Sequence, residues 1–242
     1  MKVESLNTIG FFGVPNPEII AKYPDAQWID LDIDFGAPDS KILPDAYCKI
    51  IKNVINNALH FKPDKIVAAT GKDKCDSGWF AAQVLKDLGF DVVESRYEQT
   101  EKRRELVIST SGMPLFDKVN AIMDSVIEPS PRPSPRGRGG YVKPEFGFWG
   151  VPPNDLEILK LFPDTTHVYG WTRCVEAGVP ADIELEMYVD SDVPTVFYSQ
   201  AFCSKCQLAK YLADKYNGLY IDIDDYASSS VKAKIEAFLR LR

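Results

Sequence analysis

The sequence predicts an α/β protein built from two related halves, each with a mainly parallel sheet. One apolar, glycine-rich segment occurs twice: it reads IGFFGVPNPEIIAKYPD at 9–25 and FGFWGVPPNDLEILKLFPD at 146–164. Such self-similarity indicates an internal repeat. Strand-like apolar runs also alternate with amphipathic helical patterns along both copies, and this alternation is typical of parallel sheets covered by helices.

The repeat extends beyond its glycine-rich start. A weaker match aligns IVAATGKDKC at 66–75 with PTVFYSQAFC at 194–203, which places Cys75 at the position of Cys203. Each stretch combines an apolar strand, a short polar turn and an amphipathic helix. The residues that match at the glycine-rich start are Gly10, Gly13, Val14 and Pro15 with Gly147, Gly150, Val151 and Pro152.

The first half shows helical and strand periodicities in alternation. In its first long helix, apolar residues recur three or four positions apart, which predicts a buried stripe. The predicted elements are a helix at 43–61 with the stripe Ile51, Val54, Ile55 and Ala58, a strand at 65–70, a helix at 76–89, a strand at 91–95, a strand at 105–110 and a helix near 115–127.

The second half follows the same scheme, so the whole predicts a three-layer architecture of the Rossmann or flavodoxin-like kind. Ligands of such sheets bind at the carboxyl ends of strands, and the turns at 70–78 and 199–206 are such ends. The predicted strands are FGFWGV, HVYGW, PTVFYS and LYIDID, and the predicted helices lie near 154–161, 204–216 and 229–240.

A segment of unusual composition separates the two halves. EPSPRPSPRGRGGYVKP at 128–144 is rich in Pro, Arg and Gly, which predicts an exposed, flexible linker. The predicted organisation is therefore a first half at 1–127, the linker at 128–144, and a second half at 145–242 that carries a CxxC motif.

Composition narrows the class of protein. The 242 residues have a net charge of −7, which argues against a general nucleic-acid binder because such proteins have basic surfaces. No apolar run approaches the roughly 18 residues of a membrane span, and the start lacks the pattern of a secretory signal. We expect a cytoplasmic protein with reduced cysteines; the composition leaves the oligomeric state open.

The strongest chemical signal is the pair Cys203 and Cys206 in SQAFCSKCQLAKY. A thiolate at a helix N-terminus is stabilised by the helix dipole and by unpaired N–H groups, and Lys205 adds positive charge. Both sulfurs lie on one helical face at this spacing. Three interpretations remain open: catalytic thiol redox chemistry, ligation of a metal or iron–sulfur cluster, and structural packing.

The surrounding string TVFYSQAFCSKCQLAKYLADKY resembles the strand–CxxC–helix start of the glutaredoxin and thioredoxin fold, over 194–224. The resemblance implies that Cys203 is the nucleophile and that Cys206 is the resolving cysteine.

Two further cysteines follow predicted strands. Cys75 lies in the turn equivalent to that of Cys203, and Cys174 follows the strand HVYGW. Together with Cys203 and Cys206 they predict a cysteine-lined site between the halves, which would hold zinc or an iron–sulfur cluster. Cys48 shares a helical face with apolar residues and is predicted to lie in the core.

The turn TGKDKCDSG at 70–78 predicts a place for a small, anionic ligand. Glycines and lysines before a helix N-terminus suit a phosphate group. The predicted ligand-binding residues are Gly71, Lys72, Asp73, Gly78 and Arg173.

An acidic strand, WIDLDIDFG at 28–36, alternates aspartates with apolar residues. Its aspartates fall on one strand face, for which we expect a solvated or edge position, with a magnesium or substrate-amine site as the alternative.

The leading functional hypothesis is a cysteine-lined site that binds a metal or iron–sulfur cluster or performs thiol redox chemistry on a small ligand. One alternative is a non-catalytic ligand-binding or assembly module with structural cysteines. Another is an enzyme that acts on a phosphorylated small molecule through the glycine-rich turns.

Overall fold

The computed structural model describes residues 8–45, 47–71, 75–96, 105–127, 140–180 and 182–242. The chain divides into two compact units, an N-terminal unit at Met1–Glu98 and a C-terminal unit at Gln99–Arg242, and each is described by itself. No helix in these ranges is both long enough and apolar enough to cross a membrane.

The N-terminal unit contains a four-stranded sheet in which every strand is parallel to its neighbours. The strand order is β2-β1-β3-β4. The elements are β1 (Thr8–Phe12), α1 (Pro17–Ile20), β2 (Gln27–Asp30), α2 (Lys49–Phe61), β3 (Lys65–Ala69), α3 (Asp76–Asp87) and β4 (Val92–Ser95).

The C-terminal unit contains a second all-parallel sheet of four strands, in the order β6-β5-β7-β8. Both sheets thus place the first strand of the unit between its second and third, which confirms the predicted α/β fold of two related halves. The elements are α4 (Leu115–Asp124), β5 (Gly147–Trp149), a 3₁₀ helix (Leu156–Leu161), β6 (His167–Tyr169), α5 (Trp171–Ala177), α6 (Ile183–Met187), β7 (Thr195–Gln200), α7 (Cys206–Tyr216), β8 (Leu219–Ile223) and α8 (Ser229–Leu241).

The apolar stripe of the first long helix is confirmed. Ile51, Val54, Ile55 and Ala58 of α2 are all buried and pack in one core cluster with residues of β3 and α3. The helix ends at Lys62, whose φ of 50° is left-handed, a conformation that commonly terminates helices.

Segment 105–110 forms turns instead of the predicted strand. It lies along the outer edge of β6, where the Ser109 carbonyl accepts the Val168 N–H at 3.0 Å. The Glu176 carboxylate of α5 accepts the N–H groups of Ile108 and Ser109 at 2.5 and 2.9 Å. The apolar side chains of the segment stay partly exposed, Val107 by 44%, so backbone hydrogen bonds hold the segment at the sheet edge without strand pairing.

Helix α4, which sequence periodicity placed in the first half, packs against α5, β6 and the 3₁₀ helix of the C-terminal unit. Its Lys118 side chain is fully buried, and the ammonium donates to the carbonyls of Asp164 and Thr166 at 2.8 and 2.5 Å. These bonds attach α4 to the turn that precedes β6. Of the predicted linker, residues 128–139 lie outside the described residues.

Candidate functional site

The CxxC motif lies where the sequence places it, at the carboxyl end of a buried strand. All six residues of β7 are buried, and the chain then turns through 201–205 before α7 begins at Cys206. Both Cys203 and Cys206 are half-buried. The motif therefore occupies the edge at which parallel sheets bind ligands.

Two successive turns hold the cysteines together. The Cys203 N–H donates to the Gln200 carbonyl, and the Cys206 N–H donates to the Cys203 carbonyl, each at 3.0 Å. A turn with this hydrogen bond places the Cα atoms of its first and last residues within about 7 Å. Disulfides join Cα atoms about 4.4–6.8 Å apart, so the turn brings Cys203 and Cys206 into the range of a disulfide.

The residue before the motif has a strained backbone. Phe202 has a φ of 58°, a left-handed conformation that is unfavourable for a bulky side chain. Its ring is nevertheless 67% exposed, so burial of the ring does not offset the strain. Strain of this kind persists where the surrounding structure enforces it and is concentrated at functional sites.

Two hydroxyl groups meet near the end of β7. Ser199 at the end of β7 is buried, and its Oγ lies 3.2 Å from the Tyr220 hydroxyl of β8. Burial, followed by the charges of Asp222 and of the Cys206 and Cys203 thiolates, raises the pKa of Tyr220. The phenol therefore stays protonated, and negative charge on either sulfur raises its pKa further.

Tyr220 was not identified from the sequence. It begins the string YIDIDD, whose most prominent local pattern is the alternation of aspartates with apolar residues. The signal that identifies it is the register of the sheet, in which Tyr220 pairs with Phe197 and Ser199 pairs with Asp222 on the neighbouring strand. That register depends on strand order, which a local pattern does not specify.

Lys205, between the two cysteines, forms an ion pair with Glu186. The Glu186 side chain is only 5% exposed, and a buried carboxylate of this kind requires a partner. The lysine charge that the sequence suggested for thiolate stabilisation is therefore largely compensated.

Cys174 lies inside α5 and is completely buried. Its Sγ donates to the Asp182 carbonyl at 3.6 Å. Burial, together with the charges of Glu186 and Asp182, raises the pKa of the Cys174 thiol. The thiol form is thus favoured over the thiolate that metal ligation requires.

Arg173 is adjacent to Cys174 and contacts two aromatic rings. Its guanidinium carbon lies 5.4 Å from the Tyr169 ring centroid and 5.2 Å from that of Tyr188, distances typical of cation–π contacts. Its buried Nε makes no hydrogen bond among the residues that the structure describes. The predicted role of Arg173 in binding an anion stays a prediction.

The other predicted ligand-binding residues belong to the N-terminal unit. Gly71 follows β3 and is buried, and Gly78 lies in the first turn of α3, where its N–H donates to the Cys75 carbonyl at 3.0 Å. Cys75 itself is exposed. Lys72 and Asp73 lie outside the described residues.

The predicted zinc or iron–sulfur centre finds no support in the structure. Within the described parts of the chain, no three or more His, Cys, Asp or Glu side chains are grouped so that they could hold a metal ion. Cys75 belongs to the N-terminal unit, and Cys174, Cys203 and Cys206 belong to the C-terminal unit. A centre that all four cysteines share stays a prediction of the sequence.

The acidic strand of the N-terminal unit lies at the edge of its sheet, as expected, and its aspartates are partly buried. Asp32 Oδ2 accepts the Gly13 N–H at 2.6 Å, and Asp30 Oδ1 accepts the Asp32 N–H at 3.0 Å. Burial raises the pKa of Asp32 to about 6. Burial and the Asp32 carboxylate likewise raise the pKa of Asp30.

Asp32→Asn is expected to stabilise the fold increasingly as pH rises. A carboxyl group whose pKa is higher in the folded chain than in the unfolded chain loses stability between those two pKa values. The wild type therefore loses stability from about pH 4 to about pH 6 relative to the variant, by about 1–2 kcal/mol after allowance for partial exposure. Urea unfolding at both pH values measures this difference, with exposed Asp25→Asn as control. A stability difference between wild type and Asp32→Asn that does not change with pH would contradict the raised pKa of Asp32.

No protein-family model matches this sequence, and no curated protein matches it. The fold and the site define the chain as an α/β protein with a dithiol at the carboxyl edge of a parallel sheet. Its function is therefore inferred from the contacts of its own residues.

Proposed function

We propose that the C-terminal unit performs thiol–disulfide exchange, with Cys203 as the attacking thiol and Cys206 as the resolving thiol. The observation that supports this proposal is the hydrogen-bonded turn from Cys203 to Cys206 at the start of α7. Exchange needs only these two thiols, whereas a metal centre needs further ligands.

The reaction follows from the positions of the two sulfurs. The Cys203 thiolate attacks one sulfur of a disulfide R–S–S–R, so that a mixed disulfide forms and one R–S⁻ leaves. The Cys206 thiolate then attacks the Cys203 sulfur, so that the intramolecular disulfide forms and the second R–S⁻ leaves. The two cysteine protons end on the two released thiolates, and the substrate is reduced by two electrons.

The motif stands at the start of a long helix and near a protonated phenol. The first-turn N–H groups of α7 carry partial positive charge and stabilise a nearby anion. The Tyr220 hydroxyl lies within electrostatic reach of both sulfurs and stays protonated. A cytoplasmic setting, which the sequence predicts, would keep the dithiol reduced and ready to attack.

The test uses the full chain with Cys75 replaced by serine, because its exposed thiol would react with the same reagent. The reduced protein is mixed with glutathione disulfide, and glutathione release is followed over time. We expect release of two glutathiones and a disulfide that links the tryptic fragment 206–210 to the fragment 174–205. The added variant Cys174→Ser is the matched control and should leave both results unchanged.

Single substitutions separate the two roles. Cys206→Ser should trap one glutathione on Cys203, and Cys203→Ser should slow release by about 100-fold or more, because the attacking thiolate is lost. If Cys203→Ser released glutathione at the parent rate and trapped a glutathione on Cys206, then Cys206 would be the attacking thiol and Cys203 the resolving thiol. Unreactive cysteines in the parent protein would refute exchange.

Metal analysis of protein purified without oxygen tests the sequence-based alternative. Zinc or iron bound in equimolar amount, and lost when Cys203 and Cys206 become serine, would replace the exchange proposal with a metal centre.

A further inference from the structure

We propose that Cys48 and Cys75 of the N-terminal unit form a second dithiol, which closes to a reversible disulfide between the starts of α2 and α3. This inference concerns different residues and a different unit from the exchange site, and it does not depend on that proposal.

The topology places the two cysteines near each other. Helix α2 connects β2 to β3, and α3 connects β3 to β4, so both crossovers advance in the same direction across the sheet order β2-β1-β3-β4. Right-handed crossovers that advance in one direction place their helices on the same sheet face. Both helices begin at the carboxyl edge, and Cys48 and Cys75 are the residues that immediately precede them.

Contacts near the two helix starts agree with this placement. Helices α2 and α3 pack against each other. The ring of Tyr47, next to Cys48, lies 5.8 Å from the ring of Phe80 on α3. Cys48 belongs to the same core cluster as Ala81 and Ala82 of α3. The Cys48 thiol thus faces the helix that Cys75 begins.

The pKa of the Cys48 thiol is affected by groups in the same region. Burial is the main cause that raises the pKa of the Cys48 thiol, and the charges of Cys75 and Asp32 raise it further. Both groups are therefore within electrostatic reach of the Cys48 sulfur.

Exposure assigns an order to the two thiols. Cys75 is exposed, whereas Cys48 is only 9% exposed. The Cys75 thiolate attacks a low-molecular-weight disulfide such as glutathione disulfide and releases one glutathione. Cys48 then attacks the Cys75 sulfur and releases the second. The two cysteines lose two electrons and two protons in total, and the two glutathiones gain them.

The test uses the full chain with Cys203 and Cys206 replaced by serine, so that the exchange site is silent. The reduced protein is incubated with glutathione disulfide, free thiols are alkylated, and tryptic fragments are mapped by mass. We expect a disulfide that joins fragment 42–49 to fragment 75–86, and its reversal by excess reduced glutathione. The buried Cys174 should stay a free thiol and should react with the alkylating reagent only after the protein is unfolded.

Two variants make the order of reaction visible. Cys48→Ala should trap glutathione stably on Cys75, and Cys75→Ser should leave Cys48 unmodified in the folded protein. The proposal would be overturned if the protein that retains both cysteines kept glutathione stably on Cys75 and gave no linked fragments. Modification of Cys48 at an undiminished rate in Cys75→Ser would overturn the assigned order.

Discussion

Gly150→Ala is expected to lower the free energy of unfolding by about 3 kcal/mol, through backbone strain and overpacking together. Gly150 follows β5 with a φ of 157°, where a Cβ would lie 2.6 Å from the Tyr198 carbonyl oxygen. That oxygen belongs to the backbone of the neighbouring β7, which cannot rotate away as a flexible side chain can. The whole strand end must shift, and β7 leads into the CxxC turn.

Chemical denaturation of the full chain measures the loss, and thiol reactivity of Cys203 and Cys206 reports whether the turn also moves. Gly140→Ala is the control, because no atom of the described residues beyond its chain neighbours lies within 4 Å of a Cβ at that position. If both alanine variants unfold at the wild-type denaturant concentration, the close approach of Gly150 to β7 is wrong.

The repeated glycines show why the fold was predictable from the sequence. Gly147 and Gly150 lie where a Cβ would meet atoms of neighbouring strands at 2.4 and 2.6 Å. Their counterparts Gly10 and Gly13 would meet side chains of Leu31 and Ala69 at 2.9 Å. A strand end that approaches its neighbours this closely requires glycine in both units, so the pattern survives in both copies. The strand–turn–helix periodicity around each copy supplied the remaining elements.

The site was only partly predictable for a related reason. The CxxC turn depends on residues close in sequence, and its position at a strand end was correctly expected. Tyr220 meets Ser199 through sheet register, and Tyr47, beside Cys48, meets Phe80 of α3 through the packing of two helices. Contacts of this kind join residues that are distant in sequence, and no local pattern encodes them.

The unit against which α4 packs could not be predicted from the sequence, for the same physical reason. Its amphipathic pattern shows that one face is buried but does not identify the surface that buries it. The deciding interactions are the Lys118 ammonium with carbonyls of 164–166 and the Glu176 carboxylate with backbone N–H groups of 108–109. Charged side chains are rarely fully buried, so composition alone predicts an exposed Lys118.

Lys118→Met is expected to remove a pH-dependent component of stability that the wild type possesses. Burial lowers the pKa of Lys118 to about 8, although Asp164 and Glu176 partly offset this effect. The unfolded lysine has a pKa of about 10.4 and binds more protons than the folded lysine between those values, so this component of stability rises with pH. Between about pH 7 and pH 9.5 the wild type should gain about 2 kcal/mol relative to the variant.

The comparison between wild type and variant also removes the contributions of groups that begin to titrate just above this pH range. Burial raises the pKa of Tyr169 to about 12, and a buried phenol of this kind lowers stability as pH rises past its unfolded pKa. Since both proteins retain Tyr169, its contribution cancels in the difference. Exposed Lys210→Met on α7 should show no such dependence. The stability difference between wild type and Lys118→Met could prove as independent of pH as that of Lys210→Met. In that case the Lys118 ammonium is not buried, and α4 is attached to the C-terminal unit by apolar packing alone.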